Sequence, residues 1–166
     1  MMRSATLAFA LVGLSCHSVL AQDIKSLGTF ESWSAWSSYD GKGKVCYIYA
    51  EPETKKPERL DHGRVGFAVR HRNNAASRTE ASLRTGYDFA PQAIRVSVDG
   101  TPFVMIPRGH YAWLRREERE GEFMNALRKG RTMSVEAVSK RGNRTHYTFP
   151  LKGVTAAMRK ASRACR

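Results

Sequence analysis

Trp33-Ser-Ala-Trp-Ser-Ser-Tyr-Asp-Gly-Lys-Gly-Lys-Val-Cys-Tyr-Ile-Tyr49 is a β-hairpin written in side chains. Trp33, Ala35, Ser37 and Tyr39 share one face at period two, and Asp40 to Lys44 supplies turn chemistry. Val45 to Ala50 then returns rich in β-branched and aromatic residues. Cys46 therefore sits inside a strand.

The chain has three cysteines. Residues 1–21 read as a secretory leader: Arg3 gives a positive start, Ala5 to Leu14 an apolar run, and Val19-Leu20-Ala21 a cleavable end before Gln22. The apolar run is only about half of the roughly 20 residues that span a bilayer. Cys16 falls within this leader, and Gly13-Leu14-Ser15 before it lacks the bulky aliphatic residue expected ahead of a lipidated cysteine. Cleavage leaves 145 of the 166 residues, one domain of ordinary size. It also leaves an even cysteine count, Cys46 and Cys165, in an oxidising compartment where disulfides persist. A bond between the two would enclose 118 residues. Two free thiols, one of them a nucleophile or metal ligand, are the alternative.

The full chain carries a formal charge of +13, and loss of Arg3 with the leader leaves +12. Such a surface favours anionic partners: lipid head groups, lipopolysaccharide phosphates, acidic polymers or nucleic acid. Export argues against nucleic acid. No later segment approaches transmembrane length.

Downstream of the hairpin, Glu51 to Gly63 reads as a surface loop with Pro52 and Pro57. Arg64 to Arg72 is a half-buried strand, with Val65, Phe67 and Val69 inward and Arg64, Arg70 and Arg72 outward. Glu80 to Tyr87 resumes strand character. Ile94, Val96 and Val98 alternate with Arg95 and Ser97 up to Asp99-Gly100, and Thr101 to Ile106 returns. Asp-Gly between such runs predicts a tight hairpin with positive φ at both turn positions. Pro102, with no amide hydrogen, belongs at an edge or non-bonded position. Gly109 to Trp113 is a short strand.

A charged run then leads into Phe123, Met124 and Leu127, with Arg128 and Lys129 suited to a helix C-terminus and Gly130 to its stop. Glu117-Glu118-Arg119-Glu120 reads as the solvated face of that helix. Thr132 to Ser139 and Thr145 to Leu151 form a second hairpin around Lys140-Arg-Gly-Asn-Arg144. Val154, Ala157, Met158, Ala161 and Cys165 then repeat at helical spacing, which points Cys165 toward the core and favours the bridge to Cys46. About eight strands and two helices predict a mainly β, antiparallel β-sandwich with one short internal helix and a C-terminal helix. A partly closed barrel shares that spacing.

Signals for catalysis are weak. His62, His71, His110 and His146 show no metal-ligand spacing and read as surface or strand residues. No Gly-x-Ser-x-Gly elbow or glycine-rich phosphate loop occurs, and the paired carboxylates lie in charged segments. No cofactor is expected, and no catalytic residue. The tryptophans Trp33, Trp36 and Trp113 read as core, with stacking on a carbohydrate or anchoring of a partner interface as the alternative. The basic residues are the leading functional feature: Arg64, Arg70, Arg72, Arg84, Arg95, Lys140, Arg141 and Arg144 make an anion-binding surface if they converge. Arginine suits this role because its fork engages phosphate or carboxylate at two points.

The combined pattern resembles the invasion-associated locus B family of secreted alphaproteobacterial proteins. The likeness rests on Trp33 and Trp36 before Cys46-Tyr47, Gly63-Arg-Val-Gly-Phe-Ala-Val-Arg70, Val98-Asp-Gly-Thr-Pro-Phe103, Leu127-Arg-Lys-Gly130, Ser139-Lys-Arg-Gly142, and the ending from Leu151 to Cys165. It implies an immunoglobulin-like β-sandwich exported to the periplasm or outer envelope, without known catalysis. Trp36-Ser-Ser-Tyr39 lacks the cysteine that better-known members carry shortly after the tryptophan, which marks a divergent branch. The function expected is a non-enzymatic envelope protein that binds an anionic envelope component, or a host or envelope protein, through basic strand faces. A hydrolase with an unrecognised site, or a structural subunit of an envelope assembly, is the rival.

Overall fold

The computed structural model describes residues 24–41, 43–71 and 79–165. The leader expected over residues 1–21, and Arg72, lie outside the described residues. Eleven strands and two helices follow in order: β1 Lys25–Phe30, β2 Trp33–Tyr39, β3 Lys44–Ala50, β4 Thr54–Lys56, β5 Gly66–His71, β6 Thr79–Arg84, β7 Ile94–Val98, β8 Thr101–Arg108, β9 Tyr111–Leu114, α1 Glu120–Lys129, β10 Thr132–Val138, β11 Arg144–Pro150 and α2 Val154–Ala164. A 3-10 turn, Glu117–Arg119, leads into α1.

The strands form one antiparallel ladder in the order β1-β2-β3-β5-β6-β9-β8-β7-β10-β11-β4. Two contacts show how it bends. Phe67 on β5 and Phe149 on β11 stand six places apart in the ladder, a separation of about 28 Å if the sheet lay flat. Their ring centroids are 5.9 Å apart. Trp33 on β2 also donates its Nε1 hydrogen to the Pro150 carbonyl of β11 at 2.9 Å. The sheet is therefore doubled over, and its inward-facing residues pack as the facing layers of a sandwich. The expected mainly β antiparallel sandwich with one internal and one C-terminal helix is what the chain forms.

Phe67 is the hub of the core, in ring contact with Trp33, Phe123 and Phe149, and all four are fully buried. Phe123 belongs to α1 and also meets Phe103 of β8 at 4.8 Å, so α1 packs into the same core. The apolar stripe Val154, Ala157, Met158 and Ala161 of α2 is buried, and this helix lies on β1, β2 and β3. Its approach requires Gly153: a Cβ there, at φ 103°, would stand 1.9 Å from the Phe30 carbonyl oxygen. Beyond α2, Cys165 bonds to Cys46 of β3 with Cα atoms 5.9 Å apart. The free-thiol alternative is closed.

The Asp-Gly hairpin is as the sequence predicts, with φ of 44° at Asp99 and 91° at Gly100. The Asp99 carboxylate also accepts hydrogen bonds from the Arg131 and Thr132 amides at 2.8 and 3.0 Å, which holds the β7–β8 turn against the start of β10. Those two bonds lower its pKa. Pro102 pairs only with Ser97, because β9 joins β8 from Met105 onward, so its hydrogen-free nitrogen lies where one edge is open.

Two strands add to those expected. β1 is bulged at Ser26/Gly28, and β4 lies inside the segment read as a loop, where Thr54 to Lys56 pairs with Thr148 to His146. No helix among the described residues is long and apolar enough to cross a membrane.

Candidate anion-binding groove

The four strands β7, β10, β11 and β4 turn alternate side chains outward, and their register aligns one row. Arg95 stands opposite Glu136, Glu136 opposite His146, and His146 opposite Lys56. The row exists because Ile94 and Val96, Val135 and Ala137, and Thr145 and Tyr147 take the inward positions on either side. Arg144 begins β11 at the end of the row, and the tight turn before it presents Lys140 and Arg141 to solvent. The Gly142 amide donates to Ser139 O, Asn143 N donates to the Ser139 hydroxyl, and Lys140 N donates to Asp88 O. That backbone network fixes the turn and leaves its basic side chains exposed.

The row of outward side chains lines a groove of about 810 Å³, walled by Lys56, Pro57, Arg95, Arg144, Thr145 and His146. Arg95 clamps Glu136 through Nε and Nη2 at 3.0 and 2.7 Å, which holds the Glu136 carboxyl below its usual range. Lys56 pairs with Glu58, whose carboxyl is lowered by that contact. Both pairs are largely exposed and add little to stability. Arg144 takes part in no ion pair among the described residues. Among the groove's own side chains three permanent cations face one carboxylate, and the turn adds Lys140 and Arg141. The local field is positive.

The remaining candidates lie elsewhere. Arg64, Arg70 and Arg84 belong to the opposite layer, facing away from the groove, so the described basic candidates do not form one surface. On that layer cations meet acids: Arg70 bonds Asp40 at 2.6 Å and stands opposite Glu80, while Glu51 lies beside Tyr49 near Arg64 and Arg84. Arg64 precedes β5 instead of lying in it. Arg84 rests over the Tyr111 ring at 5.8 Å. The Tyr49 ring lies across Gly66, where a Cβ would stand 2.2 Å from it, and burial raises the Tyr49 pKa.

Only one tryptophan of three is core. Trp33 is fully buried, whereas Trp36 and Trp113 are half-buried on the outward side of β2 and β9, with Trp113 stacked on Tyr111. The difference is register: Trp36 follows the outward period of β2 and Trp33 the inward one.

Two further residues depart from the sequence expectation. His62 is buried, with Nε2 donating to the Pro57 carbonyl and Nδ1 meeting the Tyr147 hydroxyl, both at 2.9 Å. The Tyr147 hydroxyl in turn meets Tyr87, which bonds Thr145. This chain of polar groups pins the loop after β4 against β11, a structural duty. Burial and the Tyr87 contact raise the Tyr147 pKa. Among the described residues no group of three His, Cys, Asp or Glu side chains could hold a metal ion.

Glu120, read as part of a solvated face, is 5 % exposed. Its position is forced: α1 must bury Phe123, Met124 and Leu127, and Glu120 precedes them by one helical turn on the same side. Desolvation pushes its pKa up to about 7. The unfolded chain releases this proton near the ordinary glutamate value of 4.5, whereas the folded chain keeps it until about 7. Stability from this residue is thus full below pH 4.5 and declines as pH rises toward 7, by roughly 3 kcal/mol in all. Glu120→Gln should remove that decline, giving a variant that gains more stability over the parent at pH 8 than at pH 5 in denaturant titrations. An equal difference at both pH values would show that Glu120 ionises normally.

A family model described as "Invasion associated locus B (IalB) protein" matches residues 33–162. No curated protein and no solved structure matches the chain.

Proposed function

The chain belongs to the invasion associated locus B family, and from that premise we propose that it is an exported, non-enzymatic protein of the periplasm or outer envelope that docks an anionic envelope component in the groove beside the β10–β11 turn. One observation carries this reading: Lys56, Arg95, Arg144 and His146 line a single groove in which, among the described residues, Glu136 is the one lining carboxylate, with Glu58 paired to Lys56 beside it. The disulfide, which persists in oxidising compartments, agrees with export. Arginines there suit phosphate, whose oxygens accept two parallel hydrogen bonds from one guanidinium.

Such docking is driven by exposed charge and weakens as salt screens it. Purified protein should sediment with phosphatidylglycerol vesicles or lipopolysaccharide micelles at low salt, and much less at high salt. It should not sediment with phosphatidylcholine vesicles. Arg144→Glu should weaken binding about thirtyfold, since each basic residue at an anionic surface contributes about 1 kcal/mol and the change counts twice. Arg84→Glu on the opposite layer should leave binding near the parent value. Salt-insensitive binding, or equal losses in the two variants, would contradict the groove.

A further inference from the structure

α2 turns a second basic face to solvent. Its buried residues Val154, Ala157, Met158 and Ala161 take one side of the helix, and the exposed Arg159, Lys160 and Arg163 take the other. With Ala156 the three cations follow the spacing i, i+3, i+4 and i+7, a stripe diametrically opposite the buried one. They therefore point straight out from the core.

An ordinary solvated helix mixes its charges, as α1 does with Glu122 bonded to Arg119 at 2.7 Å and Arg128 and Lys129 in its last turn. α2 contains no acidic residue. Glu31, which lies near its start, is taken up by Lys152 at 3.1 Å. Arg159 and Arg163 stand one turn apart as like charges, Lys160 is three places before Arg163, and none of the three takes part in an ion pair among the described residues. Like charges so placed destabilise a helix. Here the helix is one with two alanines among its four buried residues, which bury little apolar area. A feature that opposes folding with no compensation inside the fold points to a partner outside it.

The stripe and the groove face the same way. Cys165 bonds Cys46, which is buried on the inward side of β3, so α2 covers the inward side of β1, β2 and β3. Its outer side thus points away from that layer, as does the outer side of β7, β10, β11 and β4. Leu151 to Gly153 join the end of β11 directly to α2, while Arg144 and His146 lie at the start of that strand. The length of β11, about 20 Å, therefore separates the two basic sites. A small anion in the groove cannot reach both, and the helix stripe is convex, with no wall to enclose one. A flat anionic surface meets both at once.

We propose that the outer stripe of α2 is a second docking face, which with the groove seats the protein on an anionic lipid bilayer, Arg159, Lys160 and Arg163 against its phosphates. The inference rests on the groove reading for one of the two contacts and supplies the other. It names the partner as a plane of lipid head groups, with the aromatic layer of β2, β3 and β9 turned away from it.

The test uses the purified, oxidised protein, vesicles of phosphatidylglycerol diluted with phosphatidylcholine, and polyphosphate as a soluble polyanion. Arg159→Glu should weaken vesicle binding about thirtyfold, as one surface cation reversed in sign. It places an acid one turn before Arg163, so it should unfold no more readily than the parent, and the loss cannot be one of folding. Arg84→Glu makes the same change of net charge on the opposite layer and should leave binding near the parent value. The two sites lie farther apart than the screening length of about 10 Å, so the losses of Arg144→Glu and Arg159→Glu should multiply in the double variant. Polyphosphate should bind less tightly than vesicles at equal phosphate. Vesicle binding unchanged in Arg159→Glu but weakened in Arg144→Glu would overturn this inference and leave the groove. A loss in Arg159→Glu alone would keep the helix face and contradict the groove. An equal loss in Arg84→Glu, or polyphosphate bound as tightly as vesicles, would overturn the bilayer as partner.

Discussion

Replacing Cys46 and Cys165 together by alanine should lower the unfolding free energy by about 4 to 5 kcal/mol, because the bond closes a loop of 118 residues and the open chain regains that entropy on unfolding. Such a loss compares with the whole stability of a marginal domain. The bond also has a specific mechanical role. α2 is the last described element and lies on β1, β2 and β3, so the closing helix packs on the opening strands of the fold. The α2 stripe is made of small residues apart from Val154 and Met158, and alanines bury little apolar area. The disulfide holds what the helix's own packing holds weakly. Denaturant unfolding of oxidised parent, reduced parent and double variant should place the latter two together, well below the first. A loss under about 1 kcal/mol would mean that the unfolded chain is already constrained, or that the loop model does not apply here.

Phe67→Ala should cost about 3 to 5 kcal/mol, the range for a fully buried phenylalanine whose cavity cannot collapse. Collapse is barred because Phe67 is held between rings from three other elements, Trp33 of β2, Phe123 of α1 and Phe149 of β11, each fixed by its own strand or helix. Phe149→Ala removes the same contact from the other side. The two changes together should therefore cost less than the sum of the single ones, as expected for residues in direct contact. Additive losses would imply that β5 and β11 do not face each other and that the sheet is not doubled.

Much of this architecture is legible in the chain because its strands alternate strictly. Ile94-Arg-Val-Ser-Val98 and Arg144 to Pro150 each place every second residue inward, and Asp99-Gly100 names its own turn. β1 and β4 escape that logic. Lys25-Ser-Leu-Gly-Thr-Phe30 breaks its alternation at a bulge, and Thr54-Lys-Lys56 is too short and too polar to show a period. Both are edge strands with one neighbour each, so half of their backbone needs no partner strand and their side chains need little apolar character.

The site was legible one residue at a time and not as a site. Period two sends Arg64, Arg70, Arg84, Arg95 and Arg144 outward but cannot say which layer each strand joins, since that depends on where the ladder doubles. Lys56 and His146 enter the groove only through the pairing of β4 with β11. Glu120 and His62 are buried by their neighbours: the helix stripe behind Phe123 carries the first inward, and the Tyr147 hydroxyl gives the second a partner. A local signal for Glu120 did exist, because it stands three residues before Phe123 and four before Met124, in phase with the apolar stripe.

Amide hydrogen exchange with and without phosphatidylglycerol vesicles at low salt reads the docking face directly. Protection should rise along β4, the β10–β11 turn and the start of β11, and stay unchanged along β5 and β6. Protection confined to β5, β6 and β9 would place docking on the aromatic layer and contradict the groove.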